Sequence, residues 1–285
     1  METWEFPLVL FTVLGQWAIG LALMITLIEY ISPAKGNEAS LKQLRIGGMA
    51  VLPLVALGLI FSVFHLGQPL SAVKALMNLG TSMLSMEILF FSIVGVLALV
   101  YSYMWWKTPE KPLRKAVGAV LSVVGLAAIV VTSKVYTLPA RMAWDSWQTT
   151  AAFILTAILL GAVSVAFLLN KVEDEASQKA KKVMGWAIIG SVVLIVTVLA
   201  LFAGTYGAST EQSAAVAATF SSGFFIARMV LGILLPVAFA AVFITGSKKK
   251  AYQAVAGVTL VGVVLGEVAG RILFYSSVMG QYPWF

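Results

Sequence analysis

The chain has 285 residues, of which 60% are hydrophobic and only 11% charged. A soluble globular protein carries about 25% charged residues, so this composition excludes a water-soluble domain and makes lipid the solvent. The net charge is +7, with no cysteine and one histidine, which excludes disulfides, thiolate metal sites, iron–sulfur clusters and a bis-histidine haem within the chain.

A helical crossing of a bilayer needs about 20 apolar residues. The charges mark where such runs start and stop. They predict eight transmembrane helices at approximately 7–31, 45–66, 85–106, 115–136, 146–170, 183–205, 224–246 and 251–275. The last run reaches full length only by enclosing Glu267 and Arg271. Helices satisfy their own backbone in lipid, and the short alternating segments of a barrel are missing. The predicted fold is therefore an all-α integral membrane protein, a single membrane domain over 1–285. The stretch Met1–Pro7 is acidic and lacks the basic start of a signal peptide, so the first helix is expected to be retained.

The connections are short and rich in turn residues, as in Ser32-Pro33-Ala34-Lys35-Gly36-Asn37 and Lys107-Thr108-Pro109. Of the 19 Lys and Arg residues, 14 fall in the odd-numbered connections and only Lys74, Lys134 and Arg141 in the even ones. Basic loops stay inside, so both termini are predicted outside the cytoplasm. Tryptophans near the helix ends, such as Trp4, Trp106 and Trp147, fit interface anchors.

Ionisable groups inside spans are costly and mark candidate sites. In this orientation His65, Glu87, Lys134, Arg228, Glu267 and Arg271 all lie toward the outer face, and Glu29 alone toward the inner one. Some have structural readings. Glu267 and Arg271 are spaced i, i+4, as an intrahelical ion pair would be. Lys134 can reach the outer headgroups. Arg228 opens a helix, where the dipole disfavours a cation, which points to an ion-pairing or functional role. His65 is followed by Leu66-Gly67-Gln68-Pro69, which ends its helix and places the imidazole at the bundle mouth. A carboxyl and an imidazole at one depth, Glu87 and His65, can share proton transfer.

Five stretches, in order, resemble the membrane anchor subunits of the dimethyl sulfoxide reductase group. They are Glu5-Phe6-Pro7-Leu8-Val9-Leu10-Phe11-Thr12-Val13-Leu14-Gly15-Gln16, His65-Leu66-Gly67-Gln68-Pro69, Ser85-Met86-Glu87-Ile88, Arg228-Met229-Val230-Leu231 and Gly266-Glu267-Val268-Ala269-Gly270-Arg271 with the following Ile272 to Tyr275. Gln68 departs from the serine of the family pattern. The resemblance implies a haem-free anchor in a bacterial cytoplasmic membrane. It implies that the anchor binds menaquinol near the outer face and passes electrons to an iron–sulfur subunit, which feeds a molybdenum catalytic subunit. It also implies residue roles. His65 binds quinol and accepts its proton, Glu87 receives or relays the proton, and Arg228 orients the head group or steadies the carboxylate. Leu66 and Gly67 complete the site, Gly67 letting the backbone approach the ring. The outer connections 67–84, 137–145 and 205–222 would dock the iron–sulfur subunit.

Three other readings fit part of the pattern: a polysulfide-reductase-type quinone anchor, a passive tether, and a secondary transporter. Transporters place their sites near the midplane, whereas these charges sit toward one end. The orientation generates a prediction. A reporter fused after Phe285 should lie outside the cytoplasm and one inserted at Lys248–Lys250 inside; a cytoplasmic C-terminus would reverse the proposed side of the site.

Overall fold

A computed structural model describes residues 6–31, 38–65, 74, 76–108, 112–139, 141, 143–206, 211–245 and 251–277. Eight of its helices are long and apolar enough to cross a membrane. They are α1 (Phe6–Ile31), α2 (Glu38–His65), α3 (Met83–Lys107), α4 (Leu113–Tyr136), α5 (Trp147–Leu169), α6 (Glu175–Tyr206), α8 (Gly223–Thr245) and α9 (Ala251–Ser276). A short helix, α7 (Glu211–Phe220), precedes α8, and a 3-10 turn spans Leu76–Asn78. No strand occurs among the described residues.

Two helices start earlier than the apolar runs suggest. α2 begins at Glu38 and α6 at Glu175, so Lys42, Lys179, Lys181 and Lys182 belong to helices, not loops. Lipid sets the least apolar length of a span, not the point where the helix must end. Lys and Arg are good helix formers, so the polar turns continue the helix.

The spans form two groups of four. In the first, α1 packs on α2, α2 on α3, α3 on α4 and α4 back on α1. In the second, α5 packs on α6, α6 on α8, α8 on α9 and α9 back on α5. The groups join where α1 meets α5, flanked by contacts of α4 with α5 and of α1 with α9. α1 and α5 are accordingly the most enclosed spans, with 72% of their apolar stretch buried against 28% in α2, α3 and α6.

That central contact is close. A methyl group added to Gly161 would strike the backbone of Gly20, and one on Gly20 would strike the backbone of Ala157. Small residues let helix backbones approach where lipid gives no hydrophobic drive for association. Nearby, the Trp17 indole N–H donates to Ser164 Oγ at 2.7 Å.

One helix is irregular. Residues Val230–Leu234 of α8 form a π-turn, in which the Leu235 N–H bonds to the Val230 carbonyl. Pro236 follows and has no N–H to donate, so the ladder is already broken two residues beyond the turn.

Gly161→Ala should therefore lower the melting temperature of the purified protein, because overpacking costs roughly 1–3 kcal/mol or more. Gly190→Ala, where nothing lies within 4 Å, should leave it unchanged. Equal melting of the two variants would remove the central contact as the keystone of the fold.

Candidate functional site

Buried charges gather at two depths. We call these the Glu87 end and the Glu29 end of the bundle. At the Glu29 end, Glu29 of α1 forms a buried ion pair with Arg114 of α4. The Arg114 guanidinium lies 3.6 Å above the Trp105 ring, and Lys115 Nζ donates to the Glu29 carbonyl at 3.1 Å. Glu29 was legible as a charge set apart from the others along the bundle. Its partner was not, because Arg114 reads as one more loop cation.

At the other end, Glu87 sits one turn into α3, after an N-cap in which Ser82 accepts from the Ser85 N–H. Its side chain is buried, beside Thr132 of α4. One carboxylate oxygen, Oε1, has no hydrogen-bond partner among the described residues. Thr132 and Tyr136 share one face of α4, a turn apart. Tyr136 in turn accepts a hydrogen bond from the Tyr275 hydroxyl at 2.8 Å. That bond ties α4 to α9 across the two groups. Tyr136 is also the hub of an aromatic cluster, with Trp144, Phe153, Phe274 and Tyr275 centroids all within 5.8 Å.

On the far side of the tyrosine pair lies a second polar knot. Arg228 of α8 and Glu267 of α9 form a buried ion pair. Thr156 of α5 donates to Glu267 Oε2 at 2.7 Å, and Arg228 Nη1 reaches the Gly266 carbonyl at 3.3 Å. Arg271 does not join Glu267 in the intrahelical pair expected from the i, i+4 spacing. Its Nη2 donates to Gln16 Oε1 of α1 at 2.8 Å, and its guanidinium stacks 3.6 Å above the Phe153 ring. The reason is packing. A Cβ on Gly266 would lie 2.5 Å from the Gly232 nitrogen, and one on Gly270 would lie 2.9 Å from Arg228 Nη1. These glycines give α9 a flat face on which the Arg228 side chain lies and reaches Glu267 first. The Gly266–Gly270 spacing was the sequence signal for this contact.

The knot borders a partly open cavity of about 130 Å³ lined by α5 to α9. Its walls are largely apolar, with Phe153, Phe202, Phe220, Phe225 and Phe274 prominent, and Arg228, Glu267, Arg271 and Gln148 line it as well.

The sequence-predicted residues are thus distributed as follows. His65 closes α2. Its side chain, with Leu66 and Gly67, lies outside the described residues, as do most of the connection 67–84 and the Lys248–Lys250 turn. Glu87 stands between α3 and α4 in the first group. Arg228 stands in the second and is paired to Glu267, not to Glu87. Lys134 is exposed, in keeping with an outward-reaching side chain. The cavity and the tyrosine bridge had no distinct sequence signal, since both are assembled from aromatics scattered over several spans.

Comparison with known proteins fits this architecture. Residues 1–277 match the family model described as DMSO reductase anchor subunit (DmsC). The anaerobic dimethyl sulfoxide reductase chain YnfH of Escherichia coli is 30% identical, over 95% of this chain and 94% of that protein. The anaerobic dimethyl sulfoxide reductase C chains of Haemophilus influenzae and Escherichia coli are 26% and 28% identical, each over 95% of this protein and 94% of its own length. The chain belongs to the DMSO reductase anchor subunit family. It is a multi-pass membrane protein and an anchor subunit of a complex of that family, which implies association with catalytic and electron-transfer subunits.

The Arg228–Glu267 pair carries a stability prediction. Arg228→Ala leaves a carboxylate buried without its cation, a change that costs about 3–5 kcal/mol. The melting temperature of the purified complex should fall sharply. Adding Glu267→Gln should recover much of the loss, since the amide can still accept from Thr156. A double variant no more stable than the single one would show that the two residues are not coupled.

Proposed function

We propose that this anchor oxidises a quinol, menaquinol, at the Glu87 end of the bundle, and that this end faces out of the bacterial cytoplasmic membrane. Electrons pass from it to an iron–sulfur subunit docked on the outer connections 67–84, 137–145 and 205–222. That subunit feeds a molybdenum catalytic subunit. The reading rests on one observation above the rest: a carboxylate, Glu87, buried between α3 and α4 with an oxygen unpartnered among the described residues. A buried polar atom without a partner is rare and calls for explanation. A hydroxyl that donates to Glu87 Oε1 supplies it, and a quinol carries two. The apolar and aromatic surroundings suit the ring and tail of such a ligand.

The bound quinol supplies two electrons and two protons; the protein supplies position and bases. Glu87 accepts a hydroxyl proton at Oε1, with Thr132 of α4 beside it. His65, the sole imidazole of the chain, closes α2 and accepts the other proton. Leu66 and Gly67 bring the backbone against the ring. Arg228 is a positioning residue in this reading. It holds Glu267 and so fixes α9, whose Tyr275 braces Tyr136 next to Glu87. The Glu29 end is less suited to the task, since Glu29 is already paired with Arg114.

His65→Ala should slow quinol-dependent reduction by roughly 10²–10⁴-fold, the usual cost of losing a proton acceptor. Glu87→Gln keeps the shape and should slow oxidation and alter its pH profile. Both variants should assemble, and a dye that reduces the partner subunits directly should still support turnover. Intact quinol oxidation in His65→Ala, or loss of dye activity along with it, would overturn the assignment.

A further inference from the structure

The two groups of four helices repeat one packing order, and Glu87 and Arg228 occupy matching places in it. Each lies near the start of the third span of its group, in α3 and in α8. The second group lines the cavity described above, and Arg228, the counterpart of Glu87, borders it. Its chemistry differs. Glu267 is held by Arg228 and Thr156, which leaves no free base to take a proton. What is free is a donor. Arg271 is buried, its Nη2 is used by Gln16, and its Nε has no partner among the described residues. Among those residues its charge has no carboxylate in an ion pair with it; Glu267 is spent on Arg228. A buried cation of this kind is unfavourable unless an acceptor meets it. The remaining walls are rich in phenylalanine, which favours an apolar body.

We propose that the cavity between α5, α6, α8 and α9 is a second ligand site, for an amphiphile that presents an acceptor oxygen to Arg271 and an apolar body to the phenylalanines. The head group is a phosphate or a carbonyl oxygen, from an anionic phospholipid or from an oxidised quinone. The ligand is held without proton transfer, unlike that at Glu87.

The test uses the purified complex with its partner subunits. It is incubated with phosphatidylglycerol in one arm and with menaquinone in the other, then analysed by native mass spectrometry, whose masses tell the two apart. Wild type should retain the amphiphile in at least one arm. Arg271→Gln should weaken that retention about tenfold or more, the usual effect of losing a charge-assisted contact. Ala152→Phe, which fills the cavity without changing charge, should abolish it. That variant guards against a folding defect in Arg271→Gln. Glu87→Gln should leave unchanged the part of the retention that Arg271→Gln removes. The proposal is overturned if wild type retains neither amphiphile, if both cavity variants retain it as wild type does, or if Glu87→Gln removes the Arg271-dependent part. The last result would mean that the ligand sits at the quinol site. Failure of His65→Ala to affect quinol oxidation would touch only the Glu87 site and leave this one standing.

Discussion

The hydrocarbon core of a bilayer accepts no hydrogen bonds, and from that single fact most of this molecule follows. Each charge that enters a span must find its partner in the protein or stay at the edge. Glu29 finds Arg114, and Glu267 finds Arg228, each on another helix. Arg271 finds a neutral oxygen and an aromatic face instead. Lys134 lies on the surface. Several serines and threonines deep in the helices turn their hydroxyls back to carbonyls one turn earlier, as Ser122 does to Gly118 and Ser164 to Leu160. Glu29 and Glu267 also keep an oxygen without a hydrogen bond, but each has its arginine; Glu87 alone of the three is buried with no ion pair among the described residues, and its functional reading depends on that contrast.

The same constraint decides what could be read without coordinates. A span in lipid is a length of uncharged sequence, so the eight crossings and the all-helical class were legible directly. Helix ends were not, because the polar turns of α2 and α6 lie beyond the reach of the lipid argument. Pairing between helices was harder still. Spacing along one helix suggested Glu267 with Arg271, since only i, i+4 neighbours are visible in a linear chain. The bond that forms joins residues 228 and 267, and it depends on how near α8 approaches α9 at Gly232 and Gly266. Motif resemblance supplied the candidate residues of the site. His65, Glu87 and Arg228 were all named by it, but their division between two helix groups is a three-dimensional property.

That division gives the tyrosine bridge its place. Tyr136 and Tyr275 come from the fourth span of each group, near its final turn, and their hydroxyls meet at the seam. Trp144 packs flat on Phe274 beside them and donates to its carbonyl at 2.8 Å. The connection before α5 is thus pinned onto α9, so that the surface proposed to receive a partner is anchored to the span that carries Arg271 and Glu267. Rigidity of that kind suits electron transfer, in which a donor and an acceptor need a fixed separation and no large motion.

The glycine contact of α1 with α5 has a consequence for how the chain is made. Gly20 and Gly161 are about 140 residues apart in sequence, and a ribosome adding 5–20 residues per second separates their arrivals by roughly 7–28 seconds. During that interval α1 is in the bilayer with its closest partner still unsynthesised. Its polar Thr12 can bond its own backbone, but Gln16 must wait for Arg271, near the end of translation. The helix that becomes the centre of the finished bundle is therefore the one with the longest exposed youth. Insertion machinery or a membrane chaperone has its most natural client surface on that face of α1.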